Sequence, residues 1–217
     1  MFITLEGIEG SGKTTQIQTI AQWLTAAGHD CLTTREPGGT AIGGQIRSVL
    51  LHPDNCDLAP TAELLLYVAD RVQHLETIVR PALAAGKVVV CDRYFDATLV
   101  YQGYARGLDR KMIRQLHQLA CKGFMPDLTL LLDLDPDDGL ARAWRRIHSD
   151  TAHAMESRFE KEKSLFHQRV RAGYLDLANR EPQRFTIIDA AVDAQAVAAQ
   201  IEAVLQAYFP RRFDGAE

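Results

Sequence analysis

The sequence has 217 residues, of which 47% are hydrophobic and 24% charged, and its formal net charge is −4. This balance is typical of a globular protein and excludes a fibrous or intrinsically disordered chain. The small acidic excess offers no general attraction to nucleic acid or to an acidic membrane surface, so we expect neither as a partner. No stretch approaches the roughly 20 apolar residues of a membrane span, and the four cysteines are widely spaced. We therefore expect one cytoplasmic domain with reduced thiols over residues 1–217.

Short apolar runs alternate with longer helical patterns along the chain. This alternation predicts βαβ units, and hence an α/β fold with a five-stranded parallel sheet flanked by helices. The predicted strands are Phe2–Glu6, Asp30–Thr34, Lys87–Asp92, Leu128–Asp133 and Arg184–Ile188. The predicted helices are Lys13–Ala27, Ile42–Leu51, Pro60–Ala85, Arg110–Lys122, Pro136–Arg146, Glu156–Asn179 and Ala191–Tyr208.

A glycine-rich segment follows the first predicted strand and precedes the first helix. It reads GIEGSGKT and matches the pattern G-x-x-x-x-G-K-[ST]. Glycines allow a tight turn whose N–H groups point at phosphate oxygens, and the following helix contributes the positive end of its dipole. Lys13 can then pair with the β- and γ-phosphates, and the Thr14 hydroxyl can bind Mg²⁺. The motif predicts an ATP-binding loop formed by Gly7, Ile8, Glu9, Gly10, Ser11, Gly12, Lys13 and Thr14.

Asp92 and Arg93 lie at the end of the third predicted strand. This end belongs to the carboxyl edge of the sheet, where α/β folds bind ligands. Asp92 can hold Mg²⁺ directly or through water, and Arg93 can bind an acceptor phosphate through two parallel hydrogen bonds. The structural alternative is an ion pair between the two side chains, and the neighbouring P-loop favours the functional interpretation.

A second cluster of arginines follows the second predicted strand. Arg35 and Glu36 begin a loop that contains Pro-Gly-Gly, and Arg47 lies in the helix after it. Together with Arg93, Arg35 and Arg47 can form a pocket for a second phosphate opposite the P-loop. The alternative is an ordinary loop in which Arg35 and Glu36 form a surface pair.

In combination, these motifs resemble those of bacterial thymidylate kinases. The residues that carry the resemblance are 34–40 (TREPGGT), 63–71 (ELLLYVADR), 92–103 (DRYFDATLVYQG) and 104–107 (YARG). Other nucleoside monophosphate kinases share the P-loop and an Asp-Arg segment, but not TREPGGT or YQG. The resemblance covers almost the whole chain. It implies transfer of the γ-phosphoryl group of ATP to dTMP with Mg²⁺, in dTTP biosynthesis.

The resemblance also implies an architecture. This is a P-loop kinase fold with a small helical lid at about residues 142–160, and a homodimer packed through long helices. The predicted helix Pro60–Ala85 is the expected contributor to the dimer.

The resemblance further implies a nucleoside pocket. Tyr67 matches the ring that stacks on thymine, and Arg71, one helical turn later, matches the residue that binds a base carbonyl. Thr98 matches the polar side chain at the base edge, with Gln102 beside it. The family usually has Phe where this chain has Tyr67. Periodicity alone would instead place residues 64–67 in the hydrophobic core.

Two further residues match groups that contact the sugar. Glu9 matches the acidic residue at the 3′-hydroxyl, and Tyr101 matches the ring that leaves little room for a 2′-hydroxyl. The residues expected to bind substrate are Glu9, Arg35, Glu36, Arg47, Tyr67, Arg71, Arg93, Thr98, Tyr101 and Gln102.

The predicted lid departs from the family pattern. Since Lys13 is the only cation of the P-loop, the charge that develops during transfer calls for an arginine from elsewhere. The family pattern Leu-Asp-Arg-x-Glu is matched at residues 156–160 in Arg158 but not in the Asp, and the unusual stretch His148–Ala154 precedes it. We expect Arg158 to be catalytic, with a solvated basic helix face as the alternative. The other candidate cations are Arg142, Arg145 and Arg146, and the remaining expected catalytic residues are Lys13, Asp92 and Arg93.

Two other functions stay open at this stage. One is a kinase of another nucleoside monophosphate, and the other is a nucleotide-dependent regulatory module without an acceptor site. A second phosphate pocket formed by Arg35, Arg47 and Arg93 would distinguish the kinases from the module, because a switch does not need one.

Overall fold

The computed structural model describes residues 1–149 and 155–209. Its centre is a parallel five-stranded sheet with the strand order β2-β3-β1-β4-β5. The strands are β1 (Phe2–Glu6), β2 (Cys31–Arg35), β3 (Val88–Asp92), β4 (Leu128–Asp133) and β5 (Phe185–Asp189). The three inner strands are almost completely buried and rich in Val, Ile and Leu, as expected for strands covered on both faces. The predicted fold class is confirmed.

Helices cover the sheet and connect its strands. They are α1 (Lys13–Ala26), α2 (Ala41–Leu51), α3 (Pro60–His74), α4 (Arg80–Ala84), α5 (Phe95–Thr98), α6 (Arg110–Cys121), α7 (Pro136–Ser149), α8 (Ser164–Arg180) and α9 (Ala194–Tyr208). The π-helical segment Leu75–Val79 joins α3 to α4, and a second, Leu99–Ala105, continues α5. None of the described helices is long and apolar enough to cross a membrane.

The helical pattern at residues 156–179 predicts too early a start, because α8 begins at Ser164. Residues 156–163 instead form turns that fold back over the site, where Phe159 packs edge-on against Tyr101 at 5.3 Å between ring centroids. A second difference is the helical run 95–105, which the sequence pattern does not indicate. Residues 150–154 of the unusual stretch His148–Ala154 lie outside the described residues.

The register of the sheet brings the predicted motifs to one edge. Asp92 of β3 lies opposite Leu5 of β1 and Arg35 of β2. The P-loop after β1, the arginine after β3 and the TREPGGT loop at the end of β2 therefore emerge side by side. This is the carboxyl edge at which parallel sheets bind ligands.

A buried ion pair fixes α5 to the sheet. Arg184, next to β5, donates two hydrogen bonds of 2.7 Å to the carboxylate of Asp96 in α5. Arg184 also donates to Thr129 in β4 at 2.9 Å, and Thr129 contacts Thr4 of β1 at 2.9 Å. Since Thr98 lies in the same short helix as Asp96, this network also positions one of the predicted base-binding residues.

We expect Asp96→Ala to lower the free energy of unfolding by about 3–5 kcal/mol, because it leaves the mostly buried Arg184 without its main counterion. Glu181→Ala is the matched control. Glu181 contacts the same arginine at 2.7 Å but is 24% exposed, so its loss should cost less than about 1 kcal/mol. Urea unfolding measures both values. Equal costs would contradict the anchoring role of Asp96.

Candidate functional site

The P-loop lies directly on the backbone of two other elements. Gly7 and Gly10 have φ angles of 139° and 71°, which residues other than glycine rarely adopt. A Cβ atom at Gly7 would lie 2.5 Å from the carbonyl oxygen of Leu132 in β4, and one at Gly10 would lie 2.0 Å from that of Gly139 in α7. These glycines are therefore required both by their conformation and by the close packing of the loop.

Lys13 extends back along the loop that precedes it. Its ammonium donates to the carbonyl oxygens of Gly7 at 3.1 Å and Ile8 at 2.8 Å, and the residue is 8% exposed. Burial and the neighbouring Arg93 lower the pKa of Lys13 to about 8, against the opposing effect of nearby carboxylates. The charge of Lys13 is thus costly until an anion enters the site.

Arg93 occupies the centre of the site. Its φ angle is 65°, an unusual left-handed conformation for a residue with a side chain. The guanidinium donates to Glu9 at 3.1 Å and to the Tyr174 hydroxyl at 3.0 Å, and it lies 4.9 Å from the ring centroid of Tyr101. Tyr174 in turn donates to the buried carboxylate of Glu6 at 2.7 Å. The arginine is therefore held by partners from the P-loop, from α8 and from the helical run after β3.

Glu9 is surrounded by donors. Besides Arg93, the Tyr101 hydroxyl donates to its carboxylate, and Nδ1 of His167 lies 3.3 Å from Oε2. Burial alone would raise the pKa of Glu9, but His167, Arg93 and Lys13 together outweigh burial and lower it. Glu9 is therefore an anion at neutral pH and can accept a hydrogen bond from a ligand.

Arg71 is held rigidly on the side of the site that Glu36 and Thr98 form. It is 2% exposed, and its guanidinium donates to Glu36 at 2.9 Å and to the Thr98 hydroxyl at 2.7 Å. The second oxygen of Glu36 lies 2.8 Å from Nδ1 of His74. The carboxylate of Glu36, expected to bind substrate, is thus occupied by Arg71 and His74, and it orients the arginine.

A cavity of about 310 Å³ connects these groups. Gly7, Ile8 and Ser11 belong to the P-loop but do not line this cavity. The expected site residues on its wall are Glu9, Gly10, Gly12, Lys13, Thr14, Arg35, Glu36, Arg47, Tyr67, Arg71, Asp92, Arg93, Thr98, Tyr101 and Gln102.

The three arginines of the predicted phosphate pocket all line the cavity, but Arg47 already has a partner. It donates two parallel hydrogen bonds of 2.8 Å to the carboxylate of Glu156 and a third of 2.9 Å to the carbonyl oxygen of Pro37. Glu156 therefore occupies the fork that a phosphate would use. Arg35 is exposed at the cavity wall.

Arg158 lies away from the cavity, contrary to its expected catalytic placement. Its side chain is 3% exposed, and it donates to Glu63 at 2.7 Å and to the carbonyl oxygen of Leu50. A guanidinium buried against a carboxylate is held there strongly, because removing it would leave the carboxylate uncompensated. Among the candidate arginines, Arg146 of α7 lines the cavity instead.

Asp92 and Thr14 have the donor atoms that a divalent cation requires. One carboxylate oxygen of Asp92 is buried and has no hydrogen-bond partner among the described residues. No group of three or more His, Cys, Asp or Glu residues in the described part of the chain forms a metal site. One carboxylate and one hydroxyl are compatible with a magnesium ion that shares its coordination with substrate phosphates and water.

Several contributors to the site are not indicated by local sequence motifs. Tyr174 and His167 belong to α8, far along the chain from their partners. His167 lies beside Glu9 of the P-loop, and Tyr174 contacts Glu6 and Arg93, so no spacing rule connects them with the site. Glu6 was detectable in principle, because it is a charged residue at the end of an otherwise uncharged buried strand.

Known proteins are similar to this chain in sequence and in fold. The family model "Thymidylate kinase" matches residues 5–201. A thymidylate kinase of Desulfosudis oleivorans is 57% identical over 95% of this chain and 96% of its own, and one of Syntrophotalea carbinolica is 59% identical over 87% of each. The crystal structure of thymidylate kinase from Ehrlichia chaffeensis is similar with a TM-score of 0.74 at 35% identity, covering 95% of this chain and 98% of the other. The chain with this P-loop, this sheet and this cavity belongs to the thymidylate kinase family.

Proposed function

We propose that the protein phosphorylates dTMP to dTDP with the γ-phosphoryl group of ATP, and that the cavity described above holds both reactants. The observation that carries this proposal is the layout of the cavity. A P-loop lies at one end, and at the other Arg71 is fixed by Glu36 and Thr98, with Tyr67 also on the cavity wall. A nucleotide-dependent regulatory module would need only the first end.

In this mechanism the phosphates of ATP lie on the P-loop N–H groups, with Lys13 at the β- and γ-phosphates. The phosphoryl group passes directly to the phosphate oxygen of dTMP without a covalent enzyme intermediate. No general base is needed, because the acceptor is already an anion. The protein accelerates the reaction by holding the two phosphates in line and by neutralising the charge between them.

Arg35, Arg47 and Arg93 are the proposed ligands of the dTMP phosphate. Arg93 is already oriented by Glu9 and Tyr174. Arg47 must exchange the carboxylate of Glu156 for the phosphate, and both acceptors match the same fork of N–H groups. Binding of dTMP is therefore coupled to release of the segment that carries Glu156.

Thr14 and Asp92 are the proposed protein ligands of Mg²⁺. The ion would neutralise charge on the β- and γ-phosphate oxygens of ATP. The unpartnered buried oxygen of Asp92 supports this placement.

Arg146 is our replacement for Arg158 as the cation that meets the charge developing during transfer. It lies on the cavity wall near the end of α7, within the predicted lid, whereas Arg158 is buried against Glu63. An arginine at the edge of the cavity can move onto the phosphoryl group when residues of the lid close.

We also propose that the enzyme is a cytoplasmic homodimer that pairs through α3 and its neighbour α6. Leu65 on α3 and Leu119 on α6 are 51% and 81% exposed. Exposed leucines on adjacent helices are typical of a surface that a partner covers.

Increasing pH should lower kcat/KM for ATP above about pH 8, because the free enzyme then loses the charge of Lys13. The value of kcat should fall less, since bound phosphates favour the charged amine. Steady-state rates between pH 6 and 10 measure both parameters. Lys13→Ala should be inactive at every pH with an unchanged circular dichroism spectrum, and a flat wild-type profile would contradict the role of Lys13.

Arg71→Lys should raise the KM for dTMP by roughly 10-fold or more, because a charge-assisted hydrogen bond to the base is lost. Lysine keeps a positive charge beside Glu36, which limits damage to the fold. The KM for ATP should stay within about twofold, since ATP binds at the opposite end of the cavity. An equal increase of both KM values would instead give Arg71 a purely structural role.

Arg146→Ala should reduce kcat by roughly 100-fold or more with little change in the KM for dTMP, because its charge acts only during transfer. Arg158→Ala is the paired variant. It should lower the free energy of unfolding by about 3 kcal/mol, since Glu63 loses a buried counterion. Rate measurements and urea unfolding of both variants test this assignment. A large loss of kcat in Arg158→Ala together with near-normal kcat in Arg146→Ala would instead make Arg158 the catalytic arginine.

A further inference from the structure

Glu63 is a buried carboxylate that the mechanism above does not use. It lies in α3 with 0% exposure. Its Oε1 accepts hydrogen bonds from the side-chain amide of Gln102 at 2.7 Å and from Arg106 at 3.1 Å, and its Oε2 accepts one from Arg158 at 2.7 Å. A carboxylate paired with two guanidinium groups can only accept hydrogen bonds. Whatever side chain meets it must therefore present a donor.

This requirement determines which way the amide of Gln102 points. The amide has one end that donates and one that accepts. Only the NH₂ end can face Glu63, so the carbonyl oxygen must face elsewhere. Gln102 lines the cavity, and no described residue donates a hydrogen bond to this carbonyl oxygen. The oxygen is also not among the buried atoms that lack a partner, so it faces the cavity. The carbonyl oxygen of Gln102 is thus available to a ligand.

Beside this acceptor the cavity presents a donor. Gln102 and Thr98 are four residues apart on one helical run, and Thr98 is bonded to the guanidinium of Arg71. The pocket therefore offers the N–H groups of Arg71 and the carbonyl oxygen of Gln102. Thymine carries the complementary order at its edge, an oxygen at C4 and an N–H at N3. Cytosine carries the reverse, with an amino group at C4 and an acceptor at N3.

We propose that Glu63 is a specificity-determining positioning residue, which selects 4-oxo over 4-amino pyrimidines by orienting the Gln102 amide. The inference rests on the proposed function of the cavity. Glu63 itself touches no substrate. It acts through Gln102, and a base of the wrong polarity would leave two desolvated groups facing like groups, which binding sites reject strongly.

The hydrogen-bond network around Glu63 also includes residues 156–163, the segment that folds over the site. Arg158 comes from that segment, and Arg106 bonds both Glu63 and, at 2.7 Å, Glu162 of the same segment. The two arginines thus hold both oxygens of the Glu63 carboxylate in place as hydrogen-bond acceptors.

The direct test compares dTMP with 5-methyl-dCMP as competing substrates. The two share their methyl group, sugar and phosphate, and they differ only in the hydrogen-bonding order at C4 and N3. Glu63→Gln allows Gln102 to turn, because the new amide can donate to its carbonyl oxygen. We expect the ratio of kcat/KM for dTMP to that for 5-methyl-dCMP to fall at least 10-fold, with the KM for ATP unchanged. A ratio equal to that of the wild type would overturn the proposal.

Arg106→Met is the matched control, because it removes a partner of Glu63 but leaves the carboxylate facing Gln102. It should lower thermal stability while the substrate ratio stays within twofold. A fall as large as that of Glu63→Gln would reduce the effect to general loosening of the pocket and would contradict the proposal.

A measurement on the wild-type protein decides the question even if Glu63→Gln does not fold. In ¹⁵N-labelled protein the NH₂ protons of Gln102 should be protected from solvent exchange, and they should remain so when dTMP is added, since they face Glu63. Rapid exchange in the free protein would overturn the proposal. Wild-type protein without activity on dTMP would refute the proposed function, whereas this resonance would still report on Glu63.

Discussion

The hydrogen bonds of Arg93 hold the functional site together. This residue leaves β3 in a left-handed conformation, and its guanidinium bonds Glu9 of the P-loop and Tyr174 of α8 while it covers the ring of Tyr101. The loop proposed to bind the donor, the arginine proposed to bind the acceptor and the ring expected at the sugar are therefore positioned by one group. Arg93 also contributes to the lowered pKa of Glu9, which keeps that carboxylate charged despite its burial.

Carboxylates orient the donors in the rest of the cavity by the same means. Glu36 fixes Arg71, and Glu63 fixes the amide of Gln102. Each of these acids is almost completely buried, so an unpaired charge there would be very unfavourable. The free energy that holds each pair together also holds a donor or an acceptor in a fixed direction before any ligand arrives, and preorganised groups of this kind are what phosphoryl transfer and base recognition require.

The features predicted correctly from the sequence are those with local causes. Buried parallel strands read as continuous apolar runs, so all five were predicted to within a residue at either end, and the P-loop is specified by glycines that a turn requires. Arg158 lies outside the cavity for a physical reason of another kind. Its position is determined by Glu63, 95 residues away, and no motif reports such a pairing. The same holds for Glu156, whose carboxylate meets Arg47 across 109 residues. These contacts also explain why α8 begins only at Ser164, because they override the helical pattern of residues 156–163.

The most direct test of the account is ADP release by the purified protein with Mg-ATP and each common nucleoside monophosphate in turn. The account predicts fast release with dTMP, slower release with dUMP, which lacks the methyl group, and almost none with dCMP, AMP or GMP. It also predicts no release above background when no monophosphate is present. Preference for another monophosphate, or ADP release that is independent of any acceptor, would contradict the assignment of the cavity to two nucleotides with thymine at the Arg71 end.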